Sequence, residues 1–211
     1  MEIQRTANAG VLLKMDGVSI LLDGLCDRVE GYLPTPRQLA DRILQDPPDL
    51  LAFTHRHADH CSKALVSEYT KQNLRPVIGP ESLHSEPERV GNVTVTAVPS
   101  RHIEKVEPEL QHVSFVIQGS KCVWFVGDAA PSQWKHREDL PRPDVLIAPY
   151  AYANTKAGWE VTTSLTNNLV LLHLPDREKD CYGLWDAVEQ TTKNRENMTL
   201  WIPQMGEQIS L

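Results

Sequence analysis

Five short apolar runs in this chain each end on an aspartate or a histidine: ILLD at Asp23, LLAFTH at His55, VTAVPSRH at His102, VWFVGD at Asp128 and NLVLLH at His173. Short runs of β-branched, aliphatic and aromatic residues bounded by turn residues read as buried strands. Strands hold the loops at their ends in fixed positions, and α/β folds build their chemistry at such ends. A chain that repeats this design is under strong pressure to gather those ends along one edge.

The other elements fit that arrangement. Strands are expected over Gly10–Lys14 and Val18–Asp23, joined by the hairpin dipeptide Asp16-Gly17. Further strands are expected over Asp49–Thr54, Arg75–Ile78, Val93–Val98, Val113–Ile117, Lys121–Val126, Asp144–Ala148, Leu169–Leu172 and Leu200–Pro203. Helices are expected from Thr35-Pro36 through RQLADRIL, over Ser62–Gln72 with Ser62 as cap, and over Leu184–Lys193. Hairpins and crossovers both occur, so the chain is mixed α/β, and two sheets with helices outside fit it. A length of 211 residues and an apolar share of 41% suit a single domain over 1–211, with two similar halves as an option.

Composition narrows the partners. The net charge is −7 and the pI about 5.6, which argues against a nucleic-acid backbone as the main ligand. Arg56, Lys63, Arg101 and Lys105 flank the histidine segments and read as scattered solvated charges. Cys26, Cys61, Cys122 and Cys181 are widely spaced, without a CxxC pair. The opening MEIQRTANAG lacks the basic-then-apolar pattern of a secretory leader, and no apolar run approaches the length of a membrane span. A reduced, cytoplasmic protein without a membrane partner is expected, acting on a small molecule; a homo-oligomer stays open.

The densest chemistry is THRHADHCS at 54–62. His55 and His57 are two apart, so on extended chain their rings leave on the same side and reach one ion. Asp59 and His60 lie past the turn, at the start of the next helix, and suit a second ion. A two-metal site needs ions about 3.5–4 Å apart and gains from a bridging carboxylate. His102 would complete three imidazoles at the first ion, His173 would join Asp59 and His60 at the second, and Asp128 is the natural bridge. Cys61 is left to packing, because the set is full without it.

THRHADHCS, SRH at 100–102, GDA at 127–129 and LLH at 171–173 resemble, in their order, the motifs of the metallo-β-lactamase superfamily. ANAGVLLKMDGVSILLDG resembles that superfamily's opening hairpin, ending on its usual aspartate, here Asp23. The resemblance runs from about residue 6 to 173; LPDREKDCYGLWDAVEQ beyond it carries no functional motif. It implies a four-layer αββα sandwich with the metals at one edge. It also implies a dinuclear centre, usually zinc with Mn2+ or Fe as alternatives, and hydrolytic chemistry. Many β-lactamases of this fold use a cysteine at the second metal, where Asp128 is similar to the glyoxalase II, lactonase and tRNA-processing nuclease branches. Flavodiiron oxygen reductases have a glutamate where this chain has His57, and a third neutral imidazole favours zinc over a redox iron pair. Small lactonase-like or phosphodiesterase-like hydrolases are the nearest resemblance. A nuclease of the same fold and a non-hydrolytic di-iron or metal-binding protein are the alternatives.

On this reading Asp59 and His60 are the catalytic candidates, with Asp59 both binding metal and orienting a hydroxide. The counterpart of Asp23 in the superfamily is mostly supporting, and it is expected to hold a histidine or a loop amide. His112 is a candidate for lining the pocket or supporting it. Tyr150 and Tyr152 are candidates for donating to a substrate oxygen. Trp159 and Trp185 read as core or interface aromatics, and His84 and His136 as solvated. The pocket walls are expected from loops 24–34, 103–112 and 150–168.

Overall fold

The computed structural model describes residues 1–103, 110–193 and 197–211. In chain order the first strands and helices are β1 (Glu2–Arg5), β2 (Val11–Met15), β3 (Val18–Leu22), α1 (Arg37–Gln45), β4 (Leu50–Ala52), α2 (Lys63–Gln72) and β5 (Val77–Ile78). Then come β6 (Glu88–Val90), β7 (Val93–Pro99), β8 (Val113–Gln118), β9 (Cys122–Phe125) and β10 (Val145–Pro149). The chain closes with α3 (Lys156–Leu165), β11 (Asn168–Leu172), α4 (Leu184–Thr192), β12 (Thr199–Trp201) and β13 (Gln208–Ser210).

Two sheets form, in the orders β13-β1-β2-β3-β4-β5 and β12-β11-β10-β9-β8-β7-β6. Each is antiparallel in one part and parallel in the other. β1, β2 and β3 are antiparallel, whereas β3, β4 and β5 are parallel. In the second sheet β6 to β9 are antiparallel, and β9 to β12 run parallel.

Side-chain parity builds the layers. Val11, Leu13, Ile20, Leu22 and Ala52 of one sheet face Val95, Phe115, Ile117, Val123 and Ile147 of the other in one buried core. Their neighbours in sequence point outward. Leu21, Leu51 and Phe53 pack on Leu39, Ile43 and Leu44 of α1 and Tyr69 of α2. Trp124, Leu146, Leu169 and Leu171 pack on Trp159 and Val161 of α3 and Val188 of α4. Both faces of each sheet are covered, which is why the central strands read as continuous apolar runs. Burying each such aliphatic or aromatic side chain contributes about 1.5–3 kcal/mol. The four-layer αββα sandwich is the result.

Several elements differ from the sequence reading. α3 lies within 150–168, read above as loop. KAGWEVTTSL holds Gly158 and several β-branched residues of low helix propensity. Burial of Trp159, Val161 and Thr162 overrides that, and the Thr155 side chain caps the start by accepting from the Gly158 N–H. β1 and β13, short and largely polar, pair with each other across the length of the chain. β6 is a short edge strand on β7. Among the described residues no helix is long and apolar enough to cross a membrane.

Candidate metal centre

The site lies along the edge where β3, β4, β7, β9 and β11 end. Backbone bonds tie its loops to one another. Ile103 N–H donates to the Asp128 carbonyl at 2.8 Å and Ala130 N–H to the Arg101 carbonyl at 2.9 Å, locking the His102 and Asp128 loops together. Val113 N–H donates to the Thr54 carbonyl at 2.9 Å, joining the sheets beneath His55. Two residues here hold left-handed backbone without being glycine: Asp23 at φ 47° and His173 at φ 60°. Such conformations cost about 1–3 kcal/mol and persist where surrounding contacts enforce them.

His55, His57, Asp59, His60, His102, Asp128 and His173 converge. Among the described residues, three overlapping trios each place their ligand atoms within 4.8 Å of one another: His55 with His57 and His102, His55 with His60 and Asp128, and Asp59 with His60 and His173. The His55 Nε2 and His57 Nδ1 atoms lie 3.1 Å apart. His173 Nε2 lies 3.1 Å from Asp59 Oδ2. Asp128 sits between the groups, its Oδ2 3.2 Å from His60 Nε2, 3.3 Å from His173 Nε2 and 3.6 Å from His102 Nε2. Asp59 and His60 stand in the tight turn at 58–60, not at the start of a helix as read from sequence. Ser62 is the cap, and α2 begins after it.

The hydrogen bonds behind the cluster fix which ring atoms face it. Asp23, fully buried, accepts from the Thr54 N–H at 2.7 Å, the Thr54 hydroxyl at 2.6 Å and His60 Nδ1 at 2.8 Å. The single hydroxyl proton of Thr54 is spent on Asp23, so toward His55 Nδ1, 3.0 Å away, Thr54 Oγ1 accepts. His55 and His60 therefore both carry a proton on Nδ1 and turn Nε2 inward. This is how metal-binding imidazoles are held by their outer partners.

Electrostatics agree with a place for positive charge. Burial works against the Asp128 carboxylate, yet His173 and His60 hold it well below the usual range. Burial opposes protonation of His60, but Asp128 and Asp23 push its pKa well above the usual value. For His173 burial is likewise outweighed by Asp128 and Asp59, raising it to about 9. Burial lowers His55 well below the usual imidazole value. Inward-facing imidazole nitrogens around carboxylates, where a cation can replace a proton, suit divalent ions of the zinc type, so the donor set fits the metals that the resemblance implies.

A cavity of about 330 Å³ opens over the cluster. His57, Asp59, His102, Asp128 and His173 form its floor. Val29 and Tyr32 come from the 24–34 loop, Ile103 from the next, and Pro149, Tyr150 and Ala151 from the end of β10. Tyr32 was missed from sequence; a lone tyrosine in a Gly- and Pro-bearing loop carries no pattern. Its ring meets that of His173 edge-on, with centroids 4.6 Å apart.

Other candidates fall elsewhere. His112 does not line the cavity. It is buried behind it, with Nδ1 2.7 Å from the Ser100 hydroxyl and its ring 4.9 Å from that of His55. Tyr152 is unavailable to a substrate: it is fully buried, accepts from Trp134 Nε1 at 2.6 Å and donates to the Ala129 carbonyl at 2.9 Å. Beyond residue 152 the 150–168 segment turns into α3 and leaves the cavity. Cys61 accepts from Arg56 Nη1 at 3.2 Å and belongs to none of the three trios. Trp159 is core, and Trp185 donates to the Pro175 carbonyl at 2.9 Å. His84, His136, Lys63 and Arg101 are exposed, and Arg56 pairs with Glu81. Lys105 and the 104–109 part of the expected 103–112 wall lie outside the described residues.

The family profile described as "Beta-lactamase superfamily domain" matches residues 2–176. No curated protein matches the chain by sequence. Among solved structures, a metallo hydrolase from the hyperthermophilic archaeon Ignicoccus hospitalis is similar, with 16% identity and TM-score 0.67 over 99% of this chain and 97% of that one. A possible metal-dependent hydrolase from Veillonella parvula has 15% identity and TM-score 0.67 over 100% of this chain and 99% of that one. The diiron β-hydroxylase CmlA from Streptomyces venezuelae has 13% identity and TM-score 0.64 over 100% of this chain but 54% of its own.

Proposed function

This chain belongs to the metallo-β-lactamase superfamily, and we propose that it is a cytoplasmic hydrolase with a dinuclear zinc centre that cleaves a small ester, lactone or phosphodiester. The observation that carries this reading is the sharing of Asp128 between two ligand groups on the floor of one cavity. His55, His57 and His102 would hold one ion, and Asp59, His60 and His173 the other, with Asp128 common to both. When bound, such a pair supplies a water acidified to a pKa of about 7 and polarises the scissile group.

The protein's own contribution is orientation. Thr54 and Asp23 pre-set the His55 and His60 Nε2 atoms, so little reorganisation is needed on loading. Asp59 lines the cavity and keeps one oxygen on His173, which leaves the carboxylate placed to take the proton of an attacking water. Tyr150, on the cavity wall with its ring centroid 6.2 Å from that of His173, is placed to donate to a substrate oxygen.

Zinc is favoured over Mn2+ or Fe by the imidazole-rich set. The likeness to CmlA supports a second reading, a non-hydrolytic di-iron centre. Metal analysis of the purified protein and a screen of lactones, thioesters and phosphodiesters, with His57→Ala as control, separate the two. Iron with oxygen turnover and no hydrolysis selects the second reading. Activity unchanged in His57→Ala marks a contaminant.

A further inference from the structure

The cavity walls carry information about the substrate that the metal ligands do not. Above the floor, among the described residues, they consist of Val29, Ala58, Ile103, Pro149 and Ala151, with Tyr32 and Tyr150 as the polar side chains. Among the described residues no lysine or arginine lines the cavity. The nearby cation Arg56 is directed away, its Nη2 2.6 Å from Glu81 Oε1 and its Nη1 on Cys61. A carboxylate or phosphate remote from the scissile bond is normally met by a guanidinium or ammonium, with bidentate arginine the commonest device. Here such a group would be stripped of water against valine, isoleucine and proline, at a desolvation cost that no cation among the described wall residues offsets. Tyr32 and Tyr150 both line this wall and are hydrogen-bonded to each other, so the pair offers a phenol donor to a neutral oxygen. The volume, about 330 Å³, sits at the small end of ligand pockets, which run about 300–1,000 Å³.

We propose, building on the hydrolase reading above, that the substrate is a small carboxylic ester or lactone with an uncharged, apolar body, and that esters with anionic tails are rejected. The apolar part lies against Val29, Ile103 and Ala151, and the tyrosines hold neutral oxygens. In the reaction the oxygen of water bonds to the acyl carbon and the carbon–oxygen bond to the leaving alcohol breaks. One proton of the water ends on the departing oxygen; the acid formed releases its own proton to solvent.

The test uses matched probes on the zinc-loaded protein: phenyl butyrate and monophenyl succinate for turnover. N-phenylbutanamide and N-phenylsuccinamic acid serve for binding, read by ligand-observed NMR. Phenyl butyrate is expected to exceed monophenyl succinate in kcat/KM by about tenfold or more, and the neutral amide to bind in preference to the acid. In Val29→Arg, with zinc content unchanged, the succinate-to-butyrate ratio is expected to rise about tenfold, through KM. Equal or better turnover of the succinate ester overturns the assignment. Absence of all ester turnover would sink the hydrolase reading, and the amide pair then decides the substrate class alone: preference for the neutral amide upholds it, and equal or tighter binding of the acid overturns it.

Discussion

The Asp23 carboxylate and the His60 imidazole meet at 2.8 Å, and neither side chain is exposed. The same carboxylate accepts from the Thr54 amide and hydroxyl, so one residue at the end of β3 orients the histidine loop after β4. Asp23→Asn preserves volume but sets an NH₂ among donors. Zinc affinity is expected to fall about 10–100-fold, the usual cost of losing an outer-shell partner. A chelator-competition titration checks it; unchanged affinity contradicts the orienting role.

Gly127 precedes Asp128 with φ 52°, and a Cβ there would meet Thr54 Oγ1 at 2.5 Å. Gly127→Ala is therefore strained twice, by its backbone and by pressure on the residue that serves both Asp23 and His55. It is expected to cost at least about 1 kcal/mol in urea unfolding and to weaken zinc retention. A variant as stable and as well loaded as the parent contradicts the tight packing between these loops.

Tyr152→Phe removes a hydroxyl that satisfies Trp134 Nε1 and the Ala129 carbonyl, next to Asp128. Leaving buried polar groups unmatched costs about 1–3 kcal/mol each. Denaturant unfolding is expected to register a loss in that range. A change in KM with no loss of stability would mean that the hydroxyl meets substrate after all.

Asp49 Oδ2 accepts from the Ser19 N–H and hydroxyl at 2.9 Å each, and these bonds, the amide first, lower its pKa. A carboxyl depressed on folding adds stability above its unfolded pKa of about 3.9 and loses it as pH falls through the folded value. Asp49→Asn is expected to destabilise at neutral pH, with the gap to the parent closing below about pH 4. A constant gap from pH 7 to pH 3 would show that the charge is irrelevant.

Much of this architecture is legible locally. Apolar runs ending on His or Asp mark β3, β4, β9 and β11, because burial on both faces leaves little polar alternation, whereas β7 shows itself by its Val–Thr alternation. β1 with β13 is not legible, since neither strand has a pattern until the other is beside it. α3 hides for the opposite reason: its residues favour strands, and its helix rests on Trp159 and Val161 meeting the second sheet. At the site, residue types and spacing point to the side chains that converge, whereas the Nδ1 protons of His55 and His60 follow from three-dimensional bonds to Thr54 and Asp23. Tyr32 and Val29 reach the cavity through loop geometry that spacing does not encode.

The central claim is that Asp128 joins two separately built ligand groups into a dinuclear centre. Zinc titration of the chelator-stripped protein, followed by calorimetry and elemental analysis, tests it most directly. The account predicts about two equivalents per chain, about one in His57→Ala, and loss of most binding at both positions in Asp128→Ala. Less than one tightly bound equivalent of any transition metal in the parent protein, or full loading of Asp128→Ala, would contradict it.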